Sequence, residues 1–438
     1  MFFKNLKVFE NILIWVLLVV FIFILTFGRD GQDFQIFQFK VGEIFIALAV
    51  LISLYILLMK EVDNIFKIFI ITNFLSLIFY FTYPISFRLS SYVWSMSIYF
   101  FLVNKINVTK KILNLTFILL FFQNFIFLSS YLLPGFKLQR YFNSTEQVVV
   151  SIFFLFIILN SSLNFKFKIL CLIILSPTII LLINFSRASG IAIISCLIII
   201  SLLMKKSEVN FLIATLILFT FIFGFLFNKL DIAKDLNQYD YLLQANLEQS
   251  INNLNSDEFL DTTFSDSLNK DFFGGENFYS SQLYFHTSKS ANALSCNSSL
   301  IRIPIKLNDP NLTWRVEIIE DVLNCSTLTT STFLIGRGYE RVMIPLDNIY
   351  RNGGNPSRPT TSPHNIFLYV FYHGGLISLL IFIYMLFKIS KLDGTKIPSP
   401  TLIGFIISGL FGVVFETVNQ LIFWAFLILE KEMVKKIH

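Results

Sequence analysis

The chain holds four histidines. One of them, His364, stands where a long polar stretch gives way to an apolar run, SPHNIFLYVFYHGGLISL. An imidazole at a water–lipid boundary exchanges protons near neutral pH, as a general base must. Asn365 beside it can orient a hydroxyl. A histidine at a helix end in an interfacial belt fits the same position. Arg187, in NFSRASG, falls in a very short turn between two apolar runs. Its planar fork suits two oxygens of a lipid-borne phosphate at headgroup level, and an arginine that merely snorkels to the interface fits equally.

The polar stretch adds further arginines, most of them of the kind that simply face water. Arg315 opens RVEIIEDVLN, where Val316, Ile319 and Leu323 recur at helical spacing and predict a short amphipathic helix over 315–324. Arg337 lies between Gly336 and Gly338 in LIGRGYER, and glycines there allow a tight backbone close to a ligand. His373 follows His364 by nine residues. On a straight helix it points to the opposite face, about 13 Å deeper, so the two do not share one site. An intramembrane histidine is a functional candidate, and Gly374-Gly375 directly after it make helix packing an equal reading. His286 and the terminal His438 carry no assigned role.

These residues must be positioned by a membrane fold. Of 438 residues, 55% are hydrophobic and 14% charged, with a mean hydropathy of +0.70. A soluble domain has about 25% charged residues and could not bury so many runs of about 20 apolar residues. The 53 phenylalanines read as nucleotide bias, not chemistry. The expected fold is an all-α polytopic membrane protein with about 12 transmembrane helices: 10–28, 41–59, 65–84, 86–103, 112–133, 146–163, 167–184, 188–204, 210–228, 365–388, 399–416 and 419–430. The first of these reads as a helix and not a cleaved signal, being too long and lacking a small-x-small site. The domain boundaries expected are 1–228, membrane; 229–363, one large extracytoplasmic loop; and 364–438, membrane.

Charge placement sets the orientation. The net charge of +6 gathers in short segments near 1–9, 60–67, 104–111, 164–168, 205–209, 388–398 and 431–438. These hold 17 of the lysines and arginines, against six in the short segments of the other face: Arg29, Lys40, Arg88, Lys137, Arg140 and Arg187. That is the positive-inside pattern, with cytoplasmic termini and a periplasmic or extracellular loop, and not a nucleic-acid footprint. Cys171 and Cys196 read as buried hydrophobes. Cys296 and Cys325 fall in the predicted outer loop, where they are equally open to pairing or staying free.

Several chemistries lack their signatures: no Walker loop, GxSxG, HExxH, paired CxxC or Asp-x-Asp occurs. No metal and no cofactor are expected, so leaving-group charge falls to arginines.

His364-Asn365, nine residues, then Gly375 resembles the O-antigen ligase signature. That signature is His, a small polar residue, nine residues, Gly, two residues, then Gly, Thr or Tyr; Ser378 departs from it. Phe185-Ser186-Arg187 with Gly190 is similar to the family's Ser-Arg motif. Thr313-Trp314-Arg315 to Leu323, followed by Leu334 to Tyr339, is similar to its Arg-led helix and Gly-x-Gly turn. The order of about nine helices, a large outer loop and about three more also resembles the bacterial O-antigen ligase and polymerase superfamily. The resemblance implies a glycosyltransferase of the bacterial inner membrane that moves a glycan from undecaprenyl diphosphate to an acceptor hydroxyl. The acceptor is a second glycan for a polymerase and lipid A core for a ligase. It implies that Arg187 and Arg315 contact the diphosphate and that His364 activates the acceptor, with Asn365 and Arg337 as further binding residues. The rival reading is a transporter of a small anion or lipid-linked sugar, which asks for midplane charges; Glu43, Arg88 and Glu416 lie towards helix ends instead.

Overall fold

Apolar runs bounded by charged or cap-forming residues dictate the architecture. The structure, a computed structural model, describes residues 2–36, 39–59, 61–79, 90–103, 105, 109–132, 144–161, 163–204, 207–229, 316, 319–320, 322–323, 329–339, 365–390, 398–411 and 420–435. Its helices are α1 (Phe2–Asp33), α2 (Val41–Leu58), α3 (Asn64–Phe79), α4 (Ser91–Leu102), α5 (Lys110–Leu132), α6 (Ser144–Asn160), α7 (Phe165–Phe185), α8 (Arg187–Met204), α9 (Ser207–Lys229), α10 (Thr330–Ile335), α11 (Ile366–Ser390), α12 (Pro400–Phe411) and α13 (Gln420–Lys435). Gln35–Ile36 and Phe39–Lys40 form a two-residue antiparallel hairpin, β1 and β2, with Gln35 opposite Lys40.

A helix stands in each of the twelve apolar runs. Six of them, α1, α2, α5, α7, α9 and α11, contain stretches long and apolar enough to cross a bilayer. Shorter apolar stretches lie in α3, α6, α8 and α12. A 12-residue helix such as α4 is about 18 Å long and falls short of the hydrocarbon thickness by itself. The outward face is itself apolar. Phe221 is 74% exposed, Phe387 71% and Trp15 68%, a surface suited to lipid and not to water. The protein is a multi-pass membrane protein.

Two compact units divide the chain. One comprises residues 1–223, 326–342 and 362–438; the other comprises 224–325 and 343–361. In the second, the described residues of the predicted 315–324 helix, Val316, Ile319, Glu320, Val322 and Leu323, are helical, and Val322 is buried. Cys296 and Cys325 lie outside the described residues. The described residues 329–339, part of the stretch predicted as loop, belong to the first unit.

Within the first unit, close packing follows small residues and interhelical hydrogen bonds, as it does where lipid removes the hydrophobic drive between helices. Gly404 in α12 leaves room for Ile152 of α6 and the Cys196 thiol of α8, and that thiol donates to the Pro400 carbonyl at 3.1 Å. Phe405 and Phe423 stack at 3.7 Å, and Phe153 and Phe426 at 4.1 Å. Ser95 of α4 donates to Gln420 of α13 at 2.6 Å and accepts from the Trp424 indole at 3.1 Å. Between α5 and α6, Asn124 accepts from both Gln147 and Ser151 at 3.2 Å. Three ion pairs each join helix ends that the expected alternation places on one face: Glu10 with Lys105, Asp63 with Lys388, and Lys168 with Glu208.

Candidate functional site

Helix α11 starts on a cap. The Asn365 side-chain carbonyl accepts from the amides of Phe367 at 2.9 Å and Leu368 at 3.1 Å, satisfying donors that a helix start leaves without intrahelical partners. Its side-chain NH2 donates to the Leu410 carbonyl near the end of α12 at 3.1 Å. Gly409 beside that point leaves space for Ile366. The residue directly after His364 therefore fastens the start of α11 to α12.

Ten residues after Asn365, the helix breaks. Gly375 has φ 68° and ψ −172°, a conformation open essentially to glycine alone. A break there strands the carbonyls of the preceding turn, which would otherwise accept from the next turn of helix. The turn after α10 supplies replacement donors. The Arg337 amide donates to Tyr372 O at 2.9 Å and the Gly338 amide to His373 O at 3.0 Å. The two backbones nearly touch. A Cβ on Gly336 would lie 2.3 Å from His373 O, and one on Gly375 would lie 2.4 Å from Gly336 N. Gly336 and Gly338 also have positive φ, 77° and 73°. These glycines thus admit one backbone to another, where the sequence had pointed to a ligand.

Side chains lock the joint. His373 is fully buried, and its Nδ1 lies 2.7 Å from Gly338 O. A carbonyl only accepts, so Nδ1 carries the proton. The ring stacks on Tyr339 with centroids 5.2 Å apart and an interplanar angle of 15°, and also touches Tyr369 and Tyr372. Tyr339, fully buried, reaches across to α3 and α4. Its hydroxyl bonds Asn73 and lies 2.8 Å from the Tyr92 hydroxyl. Asn73 is held by its own helix, donating to Phe69 O at 2.7 Å. Ser378, where the signature has Gly, Thr or Tyr, is buried beside Gly374, whose added Cβ would come within 2.5 Å of it.

The predicted site residues fall as follows. Arg187 is the first residue of α8, joined to α7 by Ser186 alone, whose backbone is extended (φ −155°, ψ 124°). Ser186 O accepts from Ser189 N at 3.0 Å and so starts α8. Arg337 is half-buried and tied by its own amide to α11. Asn365 is the α11 cap. His364 and Arg315 lie outside the described residues. The structure thus brings Arg337 and Asn365 to one helix. Sequence reasoning left out Asn73, Tyr92 and Tyr339, and placed His373 only as an intramembrane histidine or a packing residue. A signal for three of the four was present. A polar Asn73 interrupts an apolar run, and two glycine-bearing segments, GRGY and HGG, each carry an aromatic or imidazole ring.

No curated protein and no solved structure matches the chain. Residues 169–383 match the family model described as O-antigen ligase. The matched stretch opens in α7, includes Arg187, the Gly336–Tyr339 turn and Asn365, and closes past the Gly375 break, so it spans both partners of the joint described above. Over that stretch the chain is similar to the O-antigen ligase family.

Proposed function

We propose that this protein transfers a glycan from undecaprenyl diphosphate to an acceptor hydroxyl at the outer face of the bacterial inner membrane. The observation that carries the reading is the O-antigen ligase match over 169–383, which takes in every residue given a chemical role. Similarity to that family implies a membrane glycosyltransferase-type function in surface polysaccharide synthesis, and the residues supply the rest. His364 takes the proton of the acceptor hydroxyl. The oxygen attacks the anomeric carbon from the face opposite the leaving group, so configuration inverts. The bond to the diphosphate oxygen breaks, and the polyprenyl diphosphate departs with the electron pair. Arg187, Arg315 and Arg337 offset the charge that grows on it, the part a preorganised cation plays best in a water-poor site. The expected setting is twelve crossings with cytoplasmic termini and residues 229–363 outside.

Two features support this division of labour. Asn365 fixes the helix that begins beside His364, and the same helix receives the Arg337 turn. The α12 end that holds Asn365 belongs to a helix that packs along α8, whose first residue is Arg187. The test is a gene deletion with the surface polysaccharide resolved on a gel. Chains of a single repeat indicate a polymerase, and bare core indicates a ligase. Complementation with His364→Ala should leave the deletion pattern in place. Normal polysaccharide from that variant removes His364 from the mechanism.

A further inference from the structure

The joint between the Gly336–Tyr339 turn and α11 contains one side chain whose chemistry exceeds what packing asks for. His373 sits in a box of Tyr339, Tyr369 and Tyr372. Its Nε2 is buried with no hydrogen-bond partner among the described residues. A phenylalanine would fill the same box without burying an unpaired nitrogen, which carries a desolvation cost. The imidazole does one thing that a hydrocarbon ring cannot: Nδ1–H donates to Gly338 O at 2.7 Å. That bond closes the turn immediately after Arg337, while the Arg337 amide closes it immediately before, on Tyr372 O. Arg337 is thereby bracketed on both sides by one turn of α11.

We propose that His373 is a positioning residue for the transfer reaction: its bond to Gly338 fixes the Gly-Arg-Gly turn so that the Arg337 guanidinium is held ready for the donor diphosphate. This rests on the reading of Arg337 as a donor-binding residue. His373 touches neither substrate nor reacting atoms in this role. It acts through the backbone, and its effect therefore vanishes once the arginine is gone.

Four variants test it: His373→Phe, His373→Asn, Arg337→Ala and the His373→Phe/Arg337→Ala pair. Each is expressed in cells lacking the gene, and the rate of surface-polysaccharide formation is normalised to protein in the membrane. Asparagine places an NH2 near the position of Nδ1, whereas phenylalanine keeps the stack and removes the donor. His373→Phe should slow formation about tenfold, the scale of one lost buried hydrogen bond. His373→Asn should restore most of the rate. The double variant should be no slower than Arg337→Ala alone, because coupled residues fail to add. A normal His373→Phe rate beside an impaired Arg337→Ala overturns the proposal and leaves the reading of Arg337 standing. A normal Arg337→Ala rate removes that reading, and the proposal with it. An asparagine variant as slow as the phenylalanine one, or losses that multiply in the pair, would show that His373 serves the fold and not the arginine.

Discussion

Replacing Gly375 with alanine places a methyl group where the chain already has backbone. The new Cβ would lie 2.4 Å from Leu334 C, Leu334 O and Gly336 N, and none of these atoms can rotate aside as a side chain can. The φ of 68° with ψ near 180° adds strain of about 1–3 kcal/mol for any residue with a Cβ. The turn must withdraw, and it gives up the Arg337–Tyr372, Gly338–His373 and His373–Gly338 hydrogen bonds. Each buried group left without a partner costs about 1–3 kcal/mol. Strain and three such losses come to roughly 8 kcal/mol, within the range of a small protein's whole stability. Detaching the turn costs less than unfolding the bundle, so the expected outcome is a folded protein with a lower melting midpoint and no surface polysaccharide. The assay is the thermal midpoint of protein purified in detergent, run beside the polysaccharide gel. Gly190→Ala is the packing control, since its Cβ would make an ordinary 3.6 Å contact with Ile183 and should leave the melting midpoint unchanged. A Gly375→Ala protein that melts and complements like the wild type would refute the docking of the turn into the broken helix.

Further outcomes follow from the same contacts. Asn365→Ala removes the α11 cap and the tie to Leu410, and should lower stability by about 1–2 kcal/mol. Asn365→Asp keeps the acceptor and loses the tie, so its melting midpoint should fall between the two. Tyr339→Phe takes the shared hydroxyl from Asn73 and Tyr92 and should cost about 1 kcal/mol; an unchanged midpoint would mean the network is not formed. At the Lys388 end, the Lys388 ammonium, helped by the Ile65 amide, holds the Asp63 carboxyl below the usual carboxylate range. The folded state therefore favours ionised Asp63. Its contribution is full above the ordinary value of about 4 and fades as pH falls through the lower folded value. Asp63→Asn should flatten the acid limb of the melting profile below about pH 4, and a parallel limb would count against the ion pair.

Helices with a single job were legible in the sequence. The 41–59 run became Val41–Leu58, and 167–184 became Phe165–Phe185, because twenty apolar residues between polar ends admit little else. The run 86–103 was harder. Its helix covers only Ser91–Leu102, and its first turns carry Ser91, Tyr92 and Ser95, which bond neighbouring helices instead of facing lipid. The run 365–388 hid its break entirely, since hydropathy averages over Gly375 and registers nothing of φ. Residues 329–339 read as loop because Gly-Arg-Gly is polar by composition, yet the turn's amides are spent on carbonyls that the break in α11 releases. A sequence pattern reports each segment's own preference. The joint exists only because two segments each have a defect that the other repairs.

The interval between the Asn365 cap and the Gly375 break has a mechanical consequence. Those ten steps form a rigid strut about 15 Å long, pinned at one end to Leu410 and notched at the other to receive Gly336. Inserting or deleting one residue within it would turn the two ends about 100° out of phase and uncouple the cap from the notch. The nine residues in the His364-Asn365 signature are thus a calibrated length, set by the distance between two fixed anchor points.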